Sequence, residues 1–192
     1  MNFRPTISKE ELSVLPVAAF QGKIITIDRN EQVDDAIEYL KSQSLIGFDT
    51  ETKPNFSRHS HNHVALIQLS SQDICYLFRL NMIGMPTALI DLLNDTHVTK
   101  IGLSLRDDFI AIKKRATINK ASFIDLQDFA KNYNIEETSL TKLFAIIFGQ
   151  RISKNKRLSN WEAQPLNEAQ QLYAATDAWA CYKIYTYLTQ EY

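Results

Sequence analysis

The sequence predicts an α/β fold, a sheet with helices packed against it, and three observations carry that expectation. Short runs rich in Ile, Leu and Val, at 45–48, 64–69 and 74–78, have the length and character of buried strands. They alternate with longer stretches whose apolar residues recur every three or four positions, the period of an amphipathic helix. At 192 residues, 45% hydrophobic and 22% charged, the chain suits one well-buried domain and lacks the composition of a disordered one.

Taken in order, residues 1–20 have weak periodicity and contain Pro5 and Pro16, so they read as an arm lying on a domain formed by residues 21–192. Residues 23–27 form a short strand. Asp28 or Asn30 then caps a helix over 31–43, with Val33, Ala36, Ile37 and Leu40 on one face. Residues 45–51 are the central strand, and a polar loop containing Pro54 follows it. Strands at 64–69 and 74–80 flank Ser70-Ser71-Gln72-Asp73, a turn that makes them an antiparallel hairpin. Pro86 opens a helix over 87–93. Residues 100–105 alternate, with Ile101, Leu103 and Leu105 on one side, as a strand does. Arg106-Asp107-Asp108 opens a helix that turns Phe109, Ile110 and Ile112 to the core. A strand at 123–126 leads into a helix through Tyr133. From Ser139 the chain is helical, Leu140, Leu143, Phe144, Ile147 and Phe148 sharing a face, and Gly149 stops it. The last helix covers 168–188.

Composition excludes several classes. Cys75 and Cys181 stand far apart with no Cys-x-x-Cys or Cys/His spacing, which argues against zinc and disulfides and for core thiols. No segment has the length of a signal peptide or a membrane span, so the expected setting is cytoplasmic, without membrane partners. A net charge of −1 means that a polyanionic partner would be met by a local patch.

The chemistry concentrates in Leu45-Ile46-Gly47-Phe48-Asp49-Thr50-Glu51. Asp49 and Glu51 at i and i+2 leave a strand on one face, while Phe48 between them belongs to the core. Two carboxylates converging at the end of a buried strand either hold a hard cation such as Mg2+ or Mn2+, or sit solvated and cap the next turn. Asp107 and Asp108 lie at a strand-to-helix junction, where either could cap the helix or serve a site. Tyr173 and Asp177 are one turn apart on the last helix. Between Ser139 and Trp161 there is no acidic residue, and Arg151, Lys154, Lys156 and Arg157 make a basic loop suited to phosphate or simply solvated. Trp161 either stacks on a base or anchors that loop from beneath. His59, His61 and His63 alternate without a carboxylate or cysteine to complete a metal set. With Arg58 they fit better near a substrate entrance than at a metal, and Phe56 is a candidate wedge against a terminal base.

Ile46-Gly47-Phe48-Asp49-Thr50-Glu51-Thr52-Lys53-Pro54, Val64-Ala65-Leu66-Ile67-Gln68-Leu69, Ile101-Gly102 with Asp108, and Tyr173-Ala174-Ala175-Thr176-Asp177-Ala178 resemble the successive motifs of the DEDD-type 3′–5′ exonucleases. The tyrosine marks the DEDDy branch, which includes ribonuclease D. Leu158-Ser159-Asn160-Trp161 with Pro165-Leu166 is similar to part of the Werner-syndrome exonuclease domain. The resemblance runs from about 23 to 188. It implies a ribonuclease-H-like fold, a mixed five-stranded sheet flanked by helices, and hydrolysis from a 3′ end of DNA or RNA that releases nucleoside 5′-monophosphates. It also implies two Mg2+ or Mn2+ ions. Asp49 would bridge them, Glu51 and Asp177 would bind the one that activates water, Asp108 would support the second, and Tyr173 would orient the water. A noncatalytic nucleic-acid binder or partner-docking module on the same fold is the alternative, and a separate helicase or repair protein is the expected partner.

Overall fold

The computed structural model describes residues 3–54 and 63–190. In chain order these form α1 (Lys9–Val14), β1 (Val17–Ala18), β2 (Lys23–Ile27), α2 (Val33–Lys41), β3 (Leu45–Thr52), β4 (Val64–Ser70), β5 (Ile74–Arg79) and α3 (Leu80–Ile83). They continue through α4 (Thr87–Asn94), β6 (Thr99–Gly102), α5 (Leu105–Ile112), β7 (Phe123–Asp125), α6 (Leu126–Phe129), α7 (Leu140–Phe148), β8 (Arg151–Ile152) and α8 (Glu168–Gln190). The fold is the expected α/β arrangement, a mixed sheet with helices on both faces. The sheet has six strands where five were expected, in the order β2-β5-β4-β3-β6-β7. The sixth is β2, which pairs parallel with β5 from Lys23↔Ile74 to Ile27↔Phe78 and closes that edge.

Alternation along β3 divides the molecule into two layers. Ile46 and Phe48, both fully buried, share one face with Ile67, Leu69, Tyr76 and Phe78 and pack with residues of α2, α4 and α5. Gly47, Asp49 and Glu51 take the opposite face, under α8. A Cβ on Gly47 would lie 1.9 Å from the Ala178 carbonyl oxygen, so helix and strand meet backbone to backbone. Ala174, Ala175 and Ala178, all fully buried, give α8 the small surface this approach requires. β4, antiparallel to both β3 and β5, is buried along its whole length, as a strand covered on both faces must be.

Several local expectations are corrected. β6 ends at Gly102, three residues short of Leu105. Ser104 adopts a left-handed conformation (φ 60°), and Leu105 instead begins α5. Ile110 is 56% exposed and not a core residue, because α5 presents only Leu105 and Ile112 as buried positions. Neither Asp28 nor Asn30 caps α2. A 3-10 turn (Asn30–Gln32) precedes it, and the Gln32 side-chain oxygen accepts from the Asp28 and Arg29 N–H groups at 3.1 and 3.0 Å. The expected α7 is present, with the Ser139 hydroxyl accepting from Lys142 N–H and Gly149 at φ 64° ending it. Cys75 and Cys181 are buried free thiols. Among the described residues no helix is long and apolar enough to cross a membrane.

The amino-terminal segment ties together the stretch ahead of α7, β8 and α8. Pro5 O accepts from Glu136 N (2.9 Å), the Glu137 carboxylate accepts from Ile7 N (3.2 Å), and Ile7 is buried. β1 pairs parallel with β8, where Pro16 O accepts from Arg151 N at 2.9 Å. Phe20 N then donates to Thr176 Oγ1 of α8 at 3.1 Å.

Gly47→Ala drives a methyl into the α8 backbone and is expected to lower stability by about 1–3 kcal/mol or more, read as an earlier urea midpoint. An unchanged midpoint would mean that α8 does not lie on β3 at this distance.

Candidate active site

The site forms where β3 runs out beneath α8. Asp49 and Glu51 reach it from the strand and Asp177 from the helix, and one carboxylate oxygen from each lies within 4.8 Å of the other two. No other group of three Asp, Glu, His or Cys side chains among the described residues meets so closely. Tyr173, one turn before Asp177, hydrogen-bonds the Asp177 carboxylate through its hydroxyl. Its ring packs against Trp161, with centroids 5.9 Å apart. Trp161 is fully buried, which makes it an anchor and not a stacking platform.

Asp108 approaches from the first turn of α5, outside the three-carboxylate group. The Thr50 hydroxyl donates to its Oδ1. Its neighbour Asp107 is exposed, so the choice left open at this junction falls on Asp108. The turn that places Asp108 is held by Asp125, at the end of β7. That carboxylate accepts from Ser104 N (3.0 Å), Leu105 N (2.9 Å) and Gln127 N (2.9 Å), and so caps the starts of α5 and α6 together. Sequence reasoning passed over both Thr50 and Asp125. An aspartate immediately ahead of a helix at 126 was the available signal for Asp125.

Burial pushes every carboxyl of the site upward, and at Asp49 and Glu51 the charges of the neighbouring site acids add to it. Asp49 lies well above its ordinary value through desolvation first, then the charges of Asp108, Asp177 and Glu51. Glu51 rises to about 9 through desolvation and the Asp177 and Asp108 charges, with Arg157 opposing. Asp177 rises to about 7 by desolvation, against the Tyr173 hydrogen bond and Lys154. Asp108 rises to about 6 by desolvation, against its bond from Thr50. The Tyr173 phenol is raised as well, by burial and then by the Asp177 and Glu51 charges, so it stays protonated at neutral pH. Four acids in this condition share a deficit of positive charge, and a hard divalent ion with an all-oxygen ligand set answers it. The donor set fits Mg2+ or Mn2+ and offers neither nitrogen nor sulfur for a softer metal.

The basic residues divide. Arg157 and Lys154 act on Glu51 and Asp177 respectively, and both are exposed. Lys156 lines a cavity of about 240 Å³ beside Tyr173, walled also by Val17, Ala18, Ser153 and Leu172. Arg151 sits apart, in the β1–β8 pair, with its Nε donating to Leu15 O at 3.2 Å. A cavity of about 450 Å³ between Phe20, Phe148, Trp179 and Lys183 is lined by none of the four site carboxylates. His59 and His61, with Phe56 and Arg58, lie outside the described residues, and His63 is exposed.

Comparison with known proteins gives one consistent result. The profile of a 3′–5′ exonuclease family matches residues 24–192. A mouse bifunctional 3′–5′ exonuclease/ATP-dependent helicase, WRN, is 34% identical over 181 residues, a match that takes in 89% of this chain and 13% of that protein. Among solved structures, the Nibbler EXO domain of Aedes aegypti superposes with a TM-score of 0.80 at 23% identity, covering 91% of this chain and 92% of that one. RNase D of Escherichia coli superposes with a TM-score of 0.78 at 23% identity, covering 88% and 45%. At these identities the two structures speak for the ribonuclease-H-like fold.

The raised carboxyls set a pH dependence for the protein without metal. In the unfolded chain Asp and Glu ionise near their ordinary 3.8 and 4.5, while in the folded chain Asp108, Asp177 and Glu51 ionise near 6, 7 and 9. Between those limits the folded state holds more protons, so stability falls as pH rises from about 4 towards 9. Thermal melts in chelator are expected to drop by at least about 5 °C from pH 5 to pH 8. Millimolar Mg2+ or Mn2+ is expected to restore the loss at pH 8 and to do little at pH 5. A metal-independent melting temperature at pH 8 would contradict the assignment.

Proposed function

We propose, for a chain that belongs to the 3′–5′ exonuclease family, that it is a working metal-dependent exonuclease, removing nucleotides from a 3′ end and releasing nucleoside 5′-monophosphates. The observation that supports this most is the meeting of Asp49, Glu51 and Asp177 within 4.8 Å, with Asp108 alongside. All five residues that the proposal calls for are present, which favours the enzyme over a noncatalytic binder of the same fold.

Asp49, Glu51 and Asp177 would hold the ions, and Asp108 would complete the set for a second. When bound, a divalent pair supplies charge stabilisation on the attacking and leaving oxygens and eases ionisation of the attacking water. In the reaction the water oxygen forms a bond to phosphorus, the bond from phosphorus to the 3′ oxygen breaks, and that oxygen leaves with a proton. The phosphate stays on the 5′ side of the released nucleotide. The chain's own groups bind and orient. Tyr173 stays protonated, so its hydroxyl can position the water but cannot take its proton. Trp161 fixes the tyrosine ring, and Thr50 and Asp125 fix Asp108. Lys154 and Arg157 neutralise backbone phosphate without reading sequence.

End-labelled single strands digested with Mg2+, Mn2+ or chelator test the proposal. Activity is expected with either ion and none with chelator, the product co-migrating with a nucleoside 5′-monophosphate. Asp49→Ala is expected to lower kcat by about 10²–10³-fold or more. Product carrying a 3′-phosphate, or digestion that continues in chelator, would contradict the mechanism. Tyr173→Phe should lower kcat while Mn2+ binding persists. Lys154→Ala with Arg157→Ala should raise KM and flatten its salt dependence by about two phosphate contacts.

A further inference from the structure

Gln68 is fully buried, and neither its side-chain oxygen nor its nitrogen has a hydrogen-bond partner among the described residues. A primary amide in that state carries a desolvation penalty that folded proteins ordinarily avoid, so its position calls for a reason. Its backbone supplies one. β3 and β4 pair antiparallel with Asp49 directly opposite Gln68, two residues ahead of the bulge between Glu51 and Thr52. Side chains directly opposite each other across an antiparallel pair leave the sheet on the same face, with Cβ atoms about 4.5–5.5 Å apart. Gln68 therefore lies beside Asp49 on the α8 face. Its other cross-strand partner, Leu77, is apolar and buried with Ala174 and Ala175 under the same helix. Solvent and substrate have no access to it. The one polar group that the strand register sets directly across from it is the Asp49 carboxylate.

We propose that Gln68 is a positioning residue of the metal centre: its amide nitrogen donates to the Asp49 carboxylate when that group ligates metal, and so fixes the carboxylate's orientation. An ionised carboxylate has about four lone-pair directions, enough to serve a cation and still accept this bond. Outer partners of this kind govern how well a ligand holds its metal, and their loss typically weakens binding about 10–100-fold. The inference rests on the reading of Asp49 as a ligand.

The test is Mn2+ binding by calorimetry, with thermal melts in chelator, on wild type, Gln68→Met and Gln68→Asn. Methionine keeps the volume and removes the amide, and asparagine keeps the amide and shortens its reach. Both variants are expected to bind Mn2+ about 10–100-fold more weakly, while the metal-free melting temperature of Gln68→Met stays level or rises. Melting in chelator is the control, because a side chain with only a structural role would change melting and leave metal affinity alone. Mn2+ affinity within about twofold of wild type in either folded variant would overturn the role of Gln68 and leave the carboxylate site standing. Wild-type protein that binds no Mn2+ would overturn both.

Discussion

Everything in the site follows from how closely α8 lies on β3. Gly47 and Ala178 touch backbone to backbone, and the small residues of α8 allow that contact to continue along the strand. The result is a narrow space in which Asp49, Glu51 and Asp177 face one another within 4.8 Å, partly shielded from solvent. Burial raises all three carboxyls well above the usual range, and at Asp49 and Glu51 the repulsion between like charges so confined adds to it. A fold that imposes such a penalty without compensation would be hard to maintain, and a bound cation converts the same geometry into an attraction.

Around that core, the other elements act mainly as braces. Asp125 ends β7 and grips the first N–H groups of α5, so Asp108 is carried to the site by a turn whose donors are satisfied. Thr50, on the opposite face of β3 from the cluster, reaches across to the Asp108 carboxylate. Trp161 underlies Tyr173 and closes the basic loop at its far end, while the β1–β8 pair holds its near end. The amino-terminal segment lies before the residues matched by the exonuclease profile, and yet it reaches α8 at Thr176, the residue preceding Asp177.

Much of this was legible in the sequence because it rests on local periodicity. Alternation placed Asp49 and Glu51 on one face and Phe48 on the other, and the turn at 70–73 gave the hairpin. Ser139 and Gly149 marked both ends of α7. The misreadings share a cause, which is that partners distant in sequence decided the outcome. Residues 100–105 alternate as a strand would, but the bonds from Ser104 and Leu105 to Asp125 turn the chain into a helix after Gly102. Lys100, a charged residue in that stretch, is buried because Leu92 O, Asp95 O and the Ser122 hydroxyl surround its ammonium group. No local pattern announces such a cradle. Arg151 looked like its basic neighbours until the β1–β8 pair placed it against the arm, and the membership of β2 in the sheet depends on a parallel partner about fifty residues away.

The central claim is that these acids exist as a set to hold divalent ions. Crystals grown or soaked with Mn2+, measured at its absorption edge, test it most directly. The account predicts anomalous density bounded by the carboxylates of Asp49, Glu51 and Asp177, with Asp108 bordering a second peak. Manganese found only elsewhere, or an empty cluster at millimolar Mn2+ and neutral pH, would contradict it.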